Sequence, residues 1–303
     1  MNKNIRNALV FAVILVATLY AVQYAVDALY KRRATDKYAK LLNHQLDPEI
    51  MIFGSSNAIK HFSPAIIKNV TGSSAYNMGY DGMFFMQYYP LMQEHLKYEK
   101  NCKMVVIACN PYLGKDWIVM VPHFFYAWLN NPDIYRSFHE IDPARMFKAR
   151  YIPGYKLTLL AKPFYWGMVY RKPEDTANGY EPVLEHGNEF NDFIKPFREP
   201  IDPYVYSLHK SIVSAISAKG IKVVLVMSPI LDKGRELILN ADSVIATYRS
   251  LEDTAKNIYF LDYSKDSLST DKKYFRNYTH LNKRGAEIFS TTLSADLLRI
   301  KNK

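Results

Sequence analysis

The sequence predicts an α/β protein in which a mainly parallel sheet lies between two layers of helices, with one transmembrane helix at the N-terminus. Short runs rich in Val and Ile, without alternating polarity, are typical of parallel strands that are buried on both faces. Helical patterns separate these runs, and a long apolar segment precedes the first of them. With 303 residues, 49% of them hydrophobic, the chain is long enough for one large core and an insertion.

The N-terminal segment is the predicted membrane anchor. Residues 8–26 form an apolar run that only Thr18 and Gln23 interrupt. As a helix this run is roughly 28 Å long, about the thickness of the hydrocarbon core of a bilayer. Charged residues follow at once and no small-residue cleavage site does, so we expect an uncleaved anchor over residues 1–34. A charged connector is expected over residues 35–49.

The charges around this anchor bear on topology and on partners. Basic residues are fewer before the span than after it, where the chain carries Lys31, Arg32, Arg33, Lys37 and Lys40. Taken literally, the positive-inside rule would place the body of the protein in the cytoplasm. The net charge of +10 favours anionic surfaces or polymers. No nucleic-acid-binding motif is found, so we expect no nucleic-acid partner.

Five strand-like runs make up the predicted sheet, at residues 50–53, 74–78, 104–108, 221–227 and 258–261. A helix is expected to begin at Ser63-Pro64, after the first strand. An apolar stripe over residues 208–216 predicts a helix that ends at Gly220. Residues 237–256 predict a further helix, and the last one begins near Asn282, a good N-cap.

The strand pattern disappears between residues 111 and 206, which predicts an insertion into the α/β domain of residues 50–303. No acidic residue occurs between Pro143 and Pro173, where cations alternate with aromatic rings. Aromatic rings stack on sugar faces and cations pair with carboxylates or phosphates. We therefore take Arg150, Lys162 and Trp166 as candidate substrate-binding residues. The same composition suits contact with anionic lipid headgroups, and it also fits a solvated basic face over an aromatic cluster.

Two short segments at opposite ends of this domain carry the chemistry. Gly54-Ser55-Ser56 follows the first strand, and Asn277-Tyr278-Thr279-His280 precedes the last helix. Open α/β sheets bind ligands outside the carboxyl ends of their strands, where the first segment lies. A serine hydroxyl needs a base to become a nucleophile. Ser56 and His280 are therefore the candidate nucleophile and general base.

The oxyanion that such a nucleophile generates needs N–H donors aimed at it. We assign this role to the backbone amides of Ser56 and Gly82 and to the side chain of Asn110. The remaining histidines show no metal-ligand spacing, and we expect neither a metal nor a cofactor. His61, five residues after Ser56, is expected to be a surface histidine in a loop.

Four sequence blocks occur in the order that the SGNH (GDSL-like) hydrolase superfamily follows, and the chain resembles that family over roughly residues 48–110 and 207–300. The blocks are Gly54-Ser55-Ser56-Asn57, Asn77-Met78-Gly79-Tyr80-Asp81-Gly82, Ala108-Cys109-Asn110 and Asn277-Tyr278-Thr279-His280. The resemblance implies a flavodoxin-like sheet with Ser56 as nucleophile and Asn110 as oxyanion donor. It places the oxyanion glycine on Gly82, with Gly79 as the alternative.

The last block departs from the family, because Asn277 stands where the family has an aspartate. In a serine protease, changing the triad aspartate to asparagine lowers turnover on the order of 10⁴-fold. Asn277 could present its carbonyl oxygen to the His280 ring, or Asp262 or Asp271 could approach the ring in its place. The sequence leaves these alternatives open.

The resemblance implies a membrane-anchored acyltransferase or esterase. Similar anchored proteins modify envelope polymers, for example in alginate acetylation and teichoic acid D-alanylation. We therefore expect a domain outside a bacterial cytoplasmic membrane that O-acetylates or deacetylates a polysaccharide or another anionic envelope polymer. A membrane-bound O-acyltransferase is the candidate partner. The alternative is a catalytically inactive glycan-binding or assembly component that retains the fold.

Overall fold

The structure, a computed structural model, describes residues 2–32, 37–114, 123–159, 177–183, 190 and 194–303. Internal contacts divide the chain into two compact units. The first comprises Met1–Gln45 and Ile118–Glu174, and the second comprises Leu46–Trp117 and Asp175–Lys303. The second unit holds a five-stranded parallel sheet, which confirms the predicted α/β class. The domain boundaries predicted from the sequence stay predictions.

The strands of this sheet are β1 (Ile50–Phe53), β2 (Ala75–Asn77), β3 (Met104–Cys109), β4 (Lys222–Met227) and β5 (Ile258–Asp262). They lie in the order β2-β1-β3-β4-β5, and all are parallel. Phe53, the last residue of β1, pairs with Ile107, so the chain leaves β1 and β3 at the same edge of the sheet. The strand order reverses between these two strands, and such a switch point is where open α/β sheets bind ligands.

The helices of the described residues are, in chain order, α1 (Lys3–Lys31), α2 (Lys37–Leu42), α3 (Ser56–His61), α4 (Pro64–Thr71), α5 (Phe85–Tyr98), α6 (Pro132–Ile141), α7 (Pro143–Tyr151), α8 (Pro203–Ala218), α9 (Asp232–Leu237), α10 (Ala241–Arg249) and α11 (Lys283–Lys301). Short 3-10 helices lie at His123–Trp128, Thr254–Lys256, Ser267–Thr270 and Lys272–Tyr274. The predicted starts near Ser63 and Asn282 are confirmed, because these residues cap α4 and α11.

Helices cover both faces of the sheet, as the prediction requires. On one face α3, α4 and α11 pack against alternate strand residues, with Ile52, Val106 and Phe289 in a single buried cluster. On the other face Phe53 contacts the His95 ring of α5 at 6.1 Å between ring centroids. Successive strand residues point to opposite faces, so burial on both sides requires the unbroken apolar runs that the sequence contains.

One predicted helix, over residues 237–256, is wrong. The chain forms α9, then α10, then a 3-10 turn in this region. Residues 238–240 leave helical geometry because they bind another segment: the Leu239 N–H donates to the Phe197 carbonyl, and the Asn240 side chain bonds to the backbone of Glu199. Hydrogen bonds to a distant segment therefore replace those that a continuous helix would have made.

The first unit is built around α1, a helix of 29 residues that is long and apolar enough to cross a membrane. Lys31, at its end, lies over the Trp128 ring, with Nζ 5.2 Å from the ring centroid. Residues 37–42, within the segment expected to be a connector, form α2, whose Tyr38 ring stacks on Phe124. These contacts belong to segments that are far apart in the sequence.

Candidate active site

The turn after β1 places Ser56 at the carboxyl edge of the sheet. Gly54 has φ +154°, and a Cβ atom at this position would lie 2.9 Å from the Cβ atoms of Ala58 and Ala108. Only glycine fits both the conformation and the space, so this residue allows the close approach of α3 to β3. Ser56 begins α3 directly after this turn, and it is half-buried.

His280 is brought to Ser56 from the other end of the domain. The Nε2 atom of the imidazole lies 2.8 Å from Ser56 Oγ, and the Nδ1 atom lies 3.1 Å from Asn277 Oδ1. Both distances are within normal hydrogen-bonding range. The three residues thus form a continuous Ser-His-Asn chain of hydrogen bonds.

The orientation of the Asn277 amide is fixed by its backbone neighbours. Its Oδ1 atom accepts hydrogen bonds from the Thr279 N–H at 3.0 Å and the His280 N–H at 2.9 Å. Two N–H donors require an oxygen at this place, so the amide nitrogen cannot occupy it. An oxygen facing Nδ1 makes that ring nitrogen the donor, which leaves the lone pair of Nε2 facing the hydroxyl of Ser56. This is the tautomer that a general base requires.

The two carboxylates considered as alternatives have other partners. Asp262 pairs with the Arg249 guanidinium at 3.0 Å and accepts a hydrogen bond from the Ser264 N–H. Asp271 pairs with Lys273 at 2.5 Å. Hydrogen bonding to the Lys273 ammonium lowers the pKa of the Asp271 carboxyl. Asn277 is therefore the residue that the geometry favours as the partner of the His280 ring.

The residues predicted to form the oxyanion hole differ in their burial and in their hydrogen bonds. Asn110 lies beside the nucleophile turn, and its Nδ2 donates to the Ser55 Oγ at 3.0 Å. Gly82 lies in an exposed turn at φ +74°, where a Cβ atom would meet nothing within 4 Å. Gly79 is buried, and a Cβ atom there would lie 2.4 Å from the Ile59 backbone nitrogen of α3. Its own N–H donates to Asn77 Oδ1 at 2.8 Å. The oxyanion roles stay predictions.

His61 was predicted to be a surface histidine, and this prediction is wrong. Its side chain is fully buried at the end of α3. Its Nε2 accepts a hydrogen bond from the Leu281 N–H at 3.0 Å, and its Nδ1 lies 3.1 Å from Ser228 Oγ. The ring also meets the His280 ring edge-on, with 6.0 Å between centroids. His61 therefore holds the backbone directly after His280.

The hydrogen bonds of His61 also define its protonation. A ring nitrogen that accepts from an N–H carries no proton, so the proton of the neutral ring is on Nδ1 and is donated to Ser228. Burial lowers the pKa of His61 well below its usual value of 6.5, and a charged His280 nearby would lower it further. Sequence reasoning missed this role because Ser228 and Leu281 approach His61 only through the fold.

The predicted substrate-binding residues belong to a different part of the chain. Arg150 lies in α7 of the first unit, with its guanidinium carbon 4.3 Å from the Tyr135 ring centroid and 5.3 Å from that of Tyr151. Lys162 and Trp166 lie outside the described residues. Among the residues that the structure describes, no group of three His, Cys, Asp or Glu side chains could hold a metal ion.

Comparison with known proteins finds distant structural similarity only. No family model and no curated protein matches the chain. Among solved structures, one from Streptococcus pneumonia, provisionally named platelet activating factor, is similar with a TM-score of 0.47 and 13% identity. The similarity covers 95% of this chain and 99% of that one. A likeness this distant leaves the activity of this chain open.

Proposed function

We propose that this protein is a membrane-anchored serine acyltransferase or esterase of the SGNH type. The observation that supports this function best is the hydrogen-bonded chain from Ser56 Oγ through His280 to Asn277 Oδ1, with distances of 2.8 and 3.1 Å. A base oriented by a third group and in contact with a hydroxyl is the arrangement that activates a serine nucleophile. The fold supplies the appropriate edge of the sheet.

The chemistry proceeds in two steps. His280 Nε2 removes the proton of Ser56 as Oγ attacks the carbonyl carbon of an acyl donor, and the tetrahedral intermediate then collapses with release of the donor's alcohol or thiol, which takes the proton from His280. The acyl group is now an ester of Ser56. His280 then deprotonates a sugar hydroxyl or a water molecule, which attacks this ester. As the bond between Ser56 Oγ and the acyl group breaks, the proton on His280 passes to Oγ and restores the serine.

Asn277 limits the rate of the proposed reaction. Its oxygen holds the productive tautomer of His280, but a neutral amide cannot stabilise the imidazolium as a carboxylate does. The 10⁴-fold loss that an asparagine causes in a serine protease arises from the wrong tautomer. Here the two backbone donors to Oδ1 avoid that fault. We therefore expect slow but real turnover.

The finer features of the proposed function rest on the resemblance to anchored SGNH proteins that modify envelope polymers, together with the anchor and the charge. The chain is basic, and its N-terminal helix is sufficient to cross a membrane. We propose that the domain lies outside a bacterial cytoplasmic membrane and transfers an acetyl group to or from a polysaccharide or anionic envelope polymer, next to a membrane-bound O-acyltransferase. Of the three residues predicted to bind substrate, Lys162 and Trp166 stay the proposed contacts to that polymer. No cofactor is required.

Two adjacent serines offer a matched test of the nucleophile. Ser56→Ala should abolish hydrolysis of a chromogenic acetyl ester, because Ser56 carries the hydroxyl that faces His280. Ser55→Ala removes the acceptor of the Asn110 amide and should retain turnover within about tenfold, the loss expected for one hydrogen bond. Circular dichroism would verify that both variants fold. Equal activity of Ser56→Ala and the wild type would exclude this nucleophile. A wild type that binds acidic glycan without cleaving esters would support the inactive glycan-binding alternative.

The proposed topology has its own test. A reporter enzyme that works only outside the cytoplasm can be fused after Lys303 to locate this end of the chain. The charges that flank α1 favour the opposite orientation by the positive-inside rule. We expect the reporter that works outside to be active and a matched cytoplasmic reporter to be silent. The reverse pattern would make an envelope substrate untenable.

A further inference from the structure

Within the first unit, the turn after α7 lies against the C-terminal half of α1. The Tyr20 hydroxyl donates to the Tyr151 carbonyl at 3.2 Å. Gly154 approaches Leu19 so closely that a Cβ atom on the glycine would lie 3.1 Å from Leu19 Cδ2. One step further along, the buried Lys156 ammonium pairs with Asp27 at 2.7 Å. The turn is thus fixed alongside the helix at three points.

If α1 spans a membrane, these contacts determine how deep the turn after α7 lies in the bilayer. Leu19 and Tyr20 precede Val26, the last residue of the apolar run, by six to seven residues. At the rise of an α-helix this separation is about 10 Å along the axis. Residues that contact Leu19 and Tyr20 therefore lie about 10 Å below the C-terminal end of the span, which is within the bilayer.

The surface of this turn has the chemistry of a membrane interface. Phe147, Tyr151 and Ile152 expose 52%, 49% and 43% of their surfaces, and on α1 the neighbouring Tyr24 exposes 78%. A soluble protein rarely leaves such large side chains together in water. Lys148 and Arg150 lie among them, and residues 143–159 contain no acidic side chain. Aromatic rings and basic side chains are the groups that favour the boundary between acyl chains and headgroups.

We propose that residues 147–154 form a second membrane contact, which inserts into the bilayer interface beside α1 with anionic phospholipid headgroups around Lys148 and Arg150. The proposal rests on the anchoring role of α1 in the proposed function. It holds for either orientation of the chain, because the depth argument uses only the position of the turn along α1. Insertion to about 10 Å is the depth that amphipathic interfacial segments reach.

Lipid-borne quenchers test this contact in the full-length protein. The chain would be reconstituted into phosphatidylcholine and phosphatidylglycerol vesicles with brominated acyl chains and labelled with a polarity-sensitive dye at Ile152→Cys. Leu15→Cys, in the middle of α1, reports on the anchor. Arg136→Cys, on the charged and exposed face of α6, is the control outside the patch. Cys102 and Cys109 are buried, so the labelled wild type gives the background.

We expect quenching of about twofold at positions 15 and 152, as for probes within acyl chains, and none at position 136. Quenching at 15 with no quenching at 152 would overturn the second contact and leave the anchor intact. No quenching at either position would mean that α1 does not span the bilayer, and the present proposal would fall with it.

Two other partners for residues 147–154, an acidic glycan and a second copy of the chain, would give different results in these experiments. If position 152 stays open to aqueous iodide in vesicles but is shielded by added alginate, the surface binds acidic glycan and the lipid proposal is wrong. If position 152 forms a disulfide between two chains in detergent, the surface is a dimer contact and the lipid proposal is again wrong. In the expected case, Lys148→Glu should reduce the quenching at position 152 in vesicles that contain phosphatidylglycerol, because it places a negative charge among anionic headgroups.

Discussion

At the scale of single residues, Asn277 is a difference between this chain and the SGNH pattern that it resembles. Asn277 presents to His280 an amide oxygen at the place where the family has a carboxylate oxygen, and the hydrogen-bond geometry at that oxygen is complete. The oxygen that faces His280 is present, and the negative charge is absent. The two contributions of a triad aspartate, orientation and electrostatic stabilisation, are therefore separated in this site.

Restoring the charge should raise turnover. Asn277→Asp is close to isosteric, and its carboxylate can accept the same hydrogen bonds from the N–H groups of Thr279 and His280. We expect a gain of about tenfold or more in turnover, since the carboxylate stabilises the imidazolium. The added negative charge would also raise the pKa of His280, so the acid limb of the pH–rate profile should move to higher pH. Ester hydrolysis measured across pH gives both values.

The alternatives supply the controls for this prediction. Asp262→Ala and Asp271→Ala should change turnover little, because these carboxylates are engaged with Arg249 and Lys273. A severe loss in either variant, together with no gain in Asn277→Asp, would show that the amide is not the partner on which His280 depends.

At the scale of elements, the site depends on a junction at the end of α3. His61 contacts Ser228, just after β4, and Leu281, just before α11. The Ser290 hydroxyl of α11 donates to the His61 carbonyl at 2.8 Å, so the same junction is closed on its other side. Three elements that carry or support the candidate site are thus fixed to one buried side chain.

Replacing His61 tests whether this junction positions the base. His61→Leu leaves the buried N–H of Leu281 without an acceptor next to His280, and we expect turnover to fall on the order of 10²-fold. His61→Gln offers an oxygen to the same N–H and should recover most of that loss. The effect should be in kcat rather than KM, and steady-state kinetics measures both. Thermal denaturation of both variants separates displacement of the base from global unfolding. If the two variants had the same kcat and the same KM, His61 would not position the base.

The elements also show what the sequence could and could not predict. The strands and the caps at Ser63 and Asn282 depend on local patterns, and the structure confirms them. The break near residue 239 and the burial of His61 depend on partners about 40 and more than 160 residues away, at Phe197 and Ser228. Likewise, the motif order could not show that Gly79 packs closely against α3 or that its N–H is bonded to Asn77, and the choice of oxyanion glycine stays a prediction.

At the scale of the whole molecule, the second unit contains three histidines that are buried and neutral, His61, His95 and His209. Burial lowers the pKa of His95 to about 4 and that of His209 to about 3, and it lowers that of His61 well below its usual value of 6.5. In the unfolded chain all three would take up protons below about pH 6.5. The folded state does not accept these protons over the same range, so folding is linked to pH.

The sign of that linkage predicts acid sensitivity. Below pH 6.5 the three histidines bind protons in the unfolded chain but stay neutral in the folded protein. The free energy of unfolding therefore falls as the pH falls towards the pKa values of the folded state. Glu199 opposes this effect, because burial raises its pKa to about 7 and the folded state takes up a proton earlier than the unfolded state. Glu199 is only half-buried, so its offset is partial.

Near pH 5.5, where the three histidines of the unfolded chain are mostly protonated, the net loss should be about 2 to 3 kcal/mol per pH unit, since each proton contributes about 1.4 kcal/mol per unit. Urea unfolding of the full chain in detergent, repeated at several pH values, measures this slope. Replacing His209 by Gln should reduce the slope by roughly one proton's share, because the ring stacks on Phe85 in full burial and cannot be charged there. A stability that is flat between pH 7 and 5 would mean that the three histidines are not excluded from solvent, and the junction around His61 would lose its physical basis.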